Sequence, residues 1–250
     1  MQIKINELTI TDLFRMSQLV KEKCKGLSSL EEVAQELMNT FCRAFITGSG
    51  KSTFVLSRFF KSCTYVDLPE EIKIYIQRQE GKEKIYAKNR YLTLLGTSGD
   101  LEEWKCRKDS KGHQALPLYD PLTIYNIPML SALLNQIGFE ISDTSEPGKN
   151  IIIDKEEHDF GIFCVEDAGG SKLIPQQAEF VEPFGIKSVI GWGGCYKTGH
   201  IYAIIIFSRE KISKGVAKLF LSLNPGVKQI TLRHEMAGNI FKKSGSNGYD

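Results

Sequence analysis

Long apolar runs, an excess of one charge and closely spaced cysteines are all missing from this sequence. The longest apolar run, Ile201–Phe207, is far shorter than a membrane span requires. The first residues, MQIKINELTITDLF, lack the apolar core of a secretion signal. Lysine and arginine number 32 against 30 aspartate and glutamate residues, so the net charge of +2 lacks the basic excess of general nucleic-acid binders. These absences predict a cytoplasmic protein that binds neither membranes nor nucleic acids.

The cysteines are scattered rather than paired. Six of them lie at positions 24, 42, 63, 106, 164 and 195 without CxxC spacing, which predicts free thiols rather than a disulfide framework. No internal repeat is present. Hydrophobic residues make up 42% of the 250 residues and charged residues 25%, a composition typical of a soluble globular domain.

Helical patterns occur at both ends of the chain. Apolar residues between 30 and 45 recur at i, i+3, i+4 and i+7, which predicts an amphipathic helix preceded by a less regular one. The stretch SSLEE (28–32) places serine three residues ahead of glutamate, the spacing of a capping box. A closing helix is predicted from Ile212, with Pro225 kinking or ending it because proline lacks a backbone donor.

Strand patterns fill most of the remaining chain, where β-branched and aromatic residues are frequent. The predicted strands are Thr53–Phe60, Tyr91–Leu95, Gln114–Leu118, Asn150–Ile153, Gly161–Glu166, Lys187–Trp192 and His200–Ser208. The last two flank the short turn YKTG, so we expect a hairpin in which Cys195 pairs with Tyr202. Since the final strand is apolar on both faces, we place it at the centre of the sheet. The pattern predicts an α+β fold with a central antiparallel sheet and flanking helices.

Four stretches resemble sensory domains of the GAF and PAS type. They are YLTLLGTSG (91–99), GHQALPL (112–118), IFCVEDAGG (162–170) and GWGGCYKTGHIYAIIIFSRE (191–210). The layout from Leu30 to Ile230 looks like the GAF-like input modules that precede histidine kinases and cyclases in bacteria. The resemblance implies a small molecule or cofactor held between the sheet and its covering loops, with the signal passing through the terminal helix.

The resemblance also implies a division of the chain. We expect a helical extension over residues 1–28, a GAF-like domain over 29–231 and a disordered tail over 232–250. No effector domain follows the predicted sensory domain in this sequence, so we expect it to act through a signalling partner protein or as part of a longer chain.

The predicted ligand site combines a rigid floor with a movable cover. We expect Gly161–Glu166 and Lys187–Trp192 to form the floor, with Trp192 lining the cavity between flanking glycines, and Thr97–Gly112 to form a lid. The basic run Trp104–Lys108 has two interpretations, a cover for an anionic ligand or, as is more usual for such a run, a solvated loop. The predicted ligand-binding residues are Arg58, His113, Gln114, Glu166, Asp167, Trp192, Cys195 and His200. Function is therefore predicted as non-enzymatic sensing of a small molecule or cofactor in bacterial signal transduction.

Two other functional classes stay open. Cys195 and His200 flank the last turn, and a thiol beside an imidazole is a nucleophile that a thiol-dependent enzyme can use. An interaction protein without a small ligand is the other class. A metal site from His113, His158, Cys164, Cys195 and His200 is not favoured, because these residues lack the ligand spacing of structural zinc. The glycine-rich turn ITGSGKST (46–53) is not a phosphate loop, since Phe45 stands where that motif needs glycine.

A dimer is predicted from the closing helix. Its apolar residues Val216, Leu219, Leu223, Val227 and Ile230 are spaced 3, 4, 4 and 3, close to a heptad seam. Only one face of this helix can pack on the sheet, so the stripe is available to a second protomer.

Overall fold

The computed structural model describes residues 1–80, 85–119, 121–140, 152–153 and 161–243. The helices are α1 (Ile10–Lys23), α2 (Leu30–Ala44), α3 (Glu70–Glu80), α4 (Pro121–Tyr125), α5 (Pro128–Gln136), α6 (Lys214–Leu219) and α7 (Asn224–Met236). The strands are β1 (Phe54–Thr64), β2 (Arg90–Gly99), β3 (Ala115–Pro117), β4 (Phe139–Glu140), β5 (Ile152–Ile153), β6 (Phe163–Val165), β7 (Ser188–Cys195) and β8 (Ile201–Ser208). None of the helices described here combines the length and apolar character needed to cross a bilayer.

Six of the strands form one sheet in the order β3-β2-β1-β8-β7-β6, and every neighbouring pair is antiparallel. The predicted α+β fold class is therefore confirmed. β8 lies between β1 and β7, and all of its residues are buried. The central position predicted for it is also confirmed, because a strand that is apolar on both faces must be covered on both sides.

Helices cover one face of this sheet, here called the helix face. It carries Phe59 of β1, Trp192 of β7 and Tyr202 of β8, which share a core with residues of α1, α2, α6 and α7. α2 contributes most of its length because its apolar stripe faces the sheet, as the i, i+3, i+4 pattern predicts. α1 adds Leu13 and Met16 to the same core, so residues before position 28 are part of the packed domain.

Loops and short helices cover the opposite face, here called the cavity face. The covering loop comprises residues 100–114, between β2 and β3, and α5 and residues 168–186 lie beside it. β2 continues to Gly99, so this loop begins three residues later than the lid predicted from Thr97. The longer strand is held at its far end by β1, where Leu56 pairs with Gly99.

The C-terminal part departs from two predictions. The break in the closing helix lies at Phe220–Leu223, a 3-10 turn, and Pro225 occupies the first turn of α7, where the missing N–H is not needed. The tail predicted to be disordered from residue 232 is ordered to 243. The reason is that the backbone N–H groups of Leu30 and Glu31, at the start of α2, donate to the carbonyls of Asn239 and Ile240 at 2.9 and 2.8 Å.

The N-terminus of α2 carries the predicted cap. The Ser29 hydroxyl accepts a hydrogen bond from the Glu32 N–H at 3.2 Å, and the Glu32 carboxylate accepts from the Ser28 N–H at 3.0 Å and from its hydroxyl at 2.7 Å. These Ser28 hydrogen bonds lower the pKa of Glu32 from 4.5 to about 2. The charged carboxylate is therefore the form that holds the cap.

Replacing Glu32 with glutamine is expected to reduce the free energy of unfolding at pH 7 by about 1 kcal/mol, the scale of a lost helix cap. A lowered pKa means that the contribution is present above pH 4.5 and is lost as the pH falls toward 2. Urea unfolding at pH 7, 4 and 3 should thus show the wild type converging on Glu32→Gln. The control Glu7→Gln removes an exposed carboxylate and should stay within about 0.5 kcal/mol of wild type at each pH; a constant gap for Glu32→Gln would contradict the assignment.

Candidate ligand cavity

A cavity of about 600 Å³ lies between the cavity face of the sheet and its cover. Its floor comes from three adjacent strands, β2, β1 and β8, so the prediction of a floor from Gly161–Glu166 and Lys187–Trp192 is wrong: β6 and β7 lie farther along the sheet, beyond β8. The floor residues are Leu56, Arg58, Phe60, Leu92, Ile205 and Phe207. Its walls come from the covering loop, the start of α5 and residues 173–184. The volume is within the range of small-molecule sites, and most of the lining is apolar.

Aromatic rings form one wall of the cavity. Trp104 of the covering loop packs edge-on against Phe180, with ring centroids 5.7 Å apart, and lies 4.7 Å from Phe184. Phe180 in turn packs edge-on against Phe207 of the floor at 4.9 Å. We call Trp104, Phe180, Phe184 and Phe207 the aromatic wall. It joins the cover to the sheet at the Phe207 end of the floor.

Arg58 stands at the centre of the floor. On β1 it pairs with Thr97 of β2 on one side and with Ile205 of β8 on the other. Its Nη2 donates to the Ser110 hydroxyl at 3.3 Å, and its buried Nε has no hydrogen-bond partner among the described residues. Burial lowers the pKa of Arg58 from 12.5 to about 10, so the guanidinium is still a cation at neutral pH.

The covering loop turns back to the sheet beside this arginine. His113 has a φ of 58°, which lies in the left-handed region that residues other than glycine rarely occupy. Burial and the Arg58 charge lower the pKa of His113, which keeps the imidazole neutral at pH 7. The Gln114 side-chain amide donates to the Ser110 carbonyl, and the Ser110 hydroxyl donates to the Gly112 carbonyl. Gln114 therefore shapes the loop, whereas Arg58 and His113 line the cavity.

Glu166 and Asp167 lie away from the cavity. A Glu166 carboxylate oxygen accepts from the Lys214 backbone N–H at 2.7 Å, at the start of α6. Asp167 forms an exposed ion pair with Lys211 at 3.0 Å. Neither side chain lines the cavity, because the chain after β6 leads to the end of the sheet where α6 begins.

Trp192 lies on the helix face rather than on the cavity face. It is fully buried, with its ring 6.1 Å from Phe41 of α2 and 5.5 Å from Phe220. Gly194, two residues along β7, makes room for the Tyr202 side chain, since a methyl group there would lie 2.9 Å from the Tyr202 hydroxyl oxygen. Trp192 therefore fills the core between sheet and helices.

Cys195 and His200 lie at the β7–β8 hairpin, outside the cavity. Cys195 pairs with Ile201, so the predicted pairing with Tyr202 is wrong by one residue. The reason is a three-residue turn, in which Gly199 adopts φ 79° and the Tyr196 N–H donates to the His200 carbonyl. The His200 Nδ1 lies 3.2 Å from the Ser62 hydroxyl, while the Cys195 thiol donates to the Tyr196 carbonyl at 3.1 Å.

In the basic run over residues 104–108, Arg107 neither faces a ligand nor is solvated. Arg107 is buried and forms ion pairs with Glu31 of α2 at 2.7 Å and with Glu71 of α3 at 3.0 Å. It thus anchors the covering loop to two helices instead of facing a ligand. Sequence reasoning did not assign Phe180, Phe184 and Phe207 to the site. Phe180 and Phe184 have the i, i+4 spacing of a helix, but spacing alone does not show that their common face meets a cavity.

The described part of the chain contains no cluster of side chains suited to binding a metal ion. No three His, Cys, Asp or Glu side chains there gather as a metal ion would require. His158, one of the residues considered for such a site, lies outside the described residues.

No family model and no characterised protein matches this sequence. Solved structures do match its fold. A free methionine-R-sulfoxide reductase from Neisseria meningitidis, solved with its substrate, has 8% identity and a TM-score of 0.51 over 91% of this chain and 93% of that chain.

Two bacterial GAF domains are also similar. Those from phosphoenolpyruvate-protein phosphotransferases of Acinetobacter and Coxiella burnetii have 11% and 8% identity, each with a TM-score of 0.47. They cover 91% and 92% of this chain, and 98% and 99% of their own chains. Similarity at this level of identity concerns the fold alone, and the fold of this chain is GAF-like, as the sequence resemblance implied.

Proposed function

We propose that this protein is a non-enzymatic sensing domain whose small-molecule ligand occupies the cavity between sheet and covering loop. The observation that carries the proposal is the cavity of about 600 Å³ with a half-buried arginine, its Nε fully buried, on an otherwise apolar floor. A polar group placed in an otherwise apolar cavity is the usual way in which a site orients a small ligand.

The proposal extends to the setting of the domain. We place it in a cytoplasmic bacterial signalling system, where ligand binding closes the covering loop and a partner protein or effector domain reads the change. Homodimer formation also stays a prediction. Leu223 and Val227 of the proposed seam are buried within their own chain, so a dimer would use the more exposed residues of this helical region.

A thiol-dependent enzyme is the less favoured alternative. No cysteine is among the described residues that line the cavity. Burial raises the pKa of the Cys24 and Cys164 thiols to about 11 and also raises the pKa of Cys42 and Cys63. These four thiols are therefore mostly protonated at neutral pH and are poor nucleophiles. Cys195, the predicted nucleophile, lies at the β7–β8 hairpin and does not line the cavity.

Trp104 provides a direct test of the cavity. In Trp192→Phe, Trp104 is the only indole, and we expect millimolar 4-phenylbutan-1-ol to change its fluorescence, because the probe's ring would pack against the aromatic wall. In Trp104→Phe the remaining indole, Trp192, lies on the opposite face of the sheet, so its emission should not respond. If neither 4-phenylbutan-1-ol nor 4-phenylbutanoate changed the fluorescence of Trp104, the assignment of a ligand cavity at this place would be contradicted.

A further inference from the structure

We infer that the ligand is a small organic monoanion, with one carboxylate held by the Arg58 guanidinium and an apolar, ring-bearing body lying on the aromatic wall. This inference rests on the proposed function, since it names the chemistry of the molecule that would occupy the same cavity.

The first step concerns the unpaired charge of Arg58. A guanidinium has five N–H donors, yet its hydrogen bond within the described residues is the one to Ser110. Buried cations are normally paired, because removing a charge from water without a partner is costly. No described carboxylate lies within ion-pair distance of Arg58. A carboxylate is the anion whose two oxygens match the planar fork of a guanidinium.

The second step limits the ligand's charge. Of the other charged side chains lining the cavity, Lys111 already pairs with Glu103 at 2.6 Å, and Glu179 contributes a further negative charge at the exposed edge. Among the described lining residues, Arg58 is therefore the cation without an acidic partner. Because Lys111 and Glu103 neutralise each other, one unpaired cation, Arg58, and one exposed carboxylate, Glu179, remain, which favours a monoanion over a phosphate ester or a polyphosphate, whose additional charge would meet no further cation.

The third step concerns the ligand's length. Leu56, two residues before Arg58 on β1, pairs with Phe207, which belongs to the aromatic wall. Two strand residues span about 7 Å. An acid group and a ring separated by a few carbon atoms would reach both features at once. His113, neutral and adjacent to the arginine, can add a hydrogen bond to the second carboxylate oxygen.

Matched probes test this chemistry by isothermal titration calorimetry. We compare 4-phenylbutanoate with 4-phenylbutan-1-ol, which keeps the ring and chain but lacks the charge, and with phenyl phosphate at pH 8, which is a dianion. The wild type is expected to bind the carboxylate at least tenfold more tightly than the alcohol or the phosphate. Arg58→Met, which replaces an unpaired half-buried cation by an apolar chain, should lose that preference while binding the alcohol within twofold of wild type.

Lys105→Met is the control, because it removes a cation of the same covering loop that is exposed, pairs with Glu102 and does not line the cavity. It should bind the carboxylate within twofold of wild type. Equal affinity of the wild type for the carboxylate and the alcohol, or unchanged carboxylate binding in Arg58→Met, would overturn the monoanion inference and leave the ligand cavity standing. Tighter binding of phenyl phosphate would overturn it in the same way. If no probe binds the wild type at 10 mM, the proposed function fails together with the inference.

Discussion

Replacing Lys61 with methionine is expected to lower the free energy of unfolding by about 3–5 kcal/mol, the scale measured when one partner of a buried ion pair is removed. The Lys61 ammonium lies 3.0 Å from the Glu235 carboxylate, and the two side chains are 3% and 2% exposed. The pair joins β1 to α7 through the helix face. Without Lys61, a carboxylate would remain in the core, and its hydrogen-bond partner among the described residues would be the Thr198 hydroxyl at 2.7 Å.

The double variant Lys61→Met/Glu235→Leu separates the pair's net contribution from the cost of an unpaired charge. We expect it to recover at least about 2 kcal/mol relative to the sum of the single variants, because both charges leave the core together. Lys23→Met, which breaks the more exposed Lys23–Glu36 pair at 3.1 Å, is the control and should cost less than about 1 kcal/mol. Urea unfolding is measured for the wild type, Lys61→Met, Glu235→Leu, the double variant and Lys23→Met. A Lys61→Met loss no larger than that of Lys23→Met would contradict the buried-pair assignment.

Replacing Gly96 with alanine is expected to destabilise the fold by about 3 kcal/mol, the upper end of the usual cost of overpacking a core. The register between β1 and β2 shifts at Phe59, so that Leu95 is an extra residue on β2, and Gly96 faces the backbone of α2. A methyl group on Gly96 would overlap the Ala34 carbonyl group and would lie 2.7 Å from the Gln35 nitrogen. Since both contacts are backbone atoms, α2 itself would have to move.

Gly48→Ala is the matched control for this prediction. Gly48 lies in the turn between α2 and β1, and a methyl group there would meet no atom within 4 Å. Its alanine variant should unfold within about 0.5 kcal/mol of wild type. Equal unfolding midpoints for Gly96→Ala and Gly48→Ala would show that α2 does not approach β2 as closely as the structure has it.

The periodicity of apolar residues was sufficient to predict those elements whose own sequence shows which faces are buried. α2 has a single apolar stripe, which indicates a helix packed on one side, and β8 is apolar on both faces, which indicates a strand covered on both sides. β2 was predicted too short: its last residues, Thr97–Gly99, are small and read as loop, yet they pair with β1. The pairing partner, which is distant in sequence, decides where such a strand ends.

The cover of the cavity was predictable in part, whereas its floor was predicted on Gly161–Glu166 and Lys187–Trp192 and lies instead on β2, β1 and β8. Arg58 was predicted as a site residue because it is a charged residue on the same face of a predicted strand as the apolar Leu56 and Phe60. The prediction that Trp192 lines the cavity is wrong. The alternation of side chains along β7 does not show which face of a sheet covered on both sides is packed by the helices. The hairpin register failed similarly, since one extra turn residue changes every pair beyond it.

β1 and β8 form the floor of the cavity and also support the helices on the reverse side. Strands at the centre of a sheet separate only when the whole domain unfolds, whereas a loop can open by itself. The binding energy of a molecule seated on Arg58 would therefore add to the global stability of the fold, through mass action on the native state. Contacts between the same molecule and the covering loop would instead oppose local opening. Ligand affinity and loop motion are in this way set by different parts of one cavity.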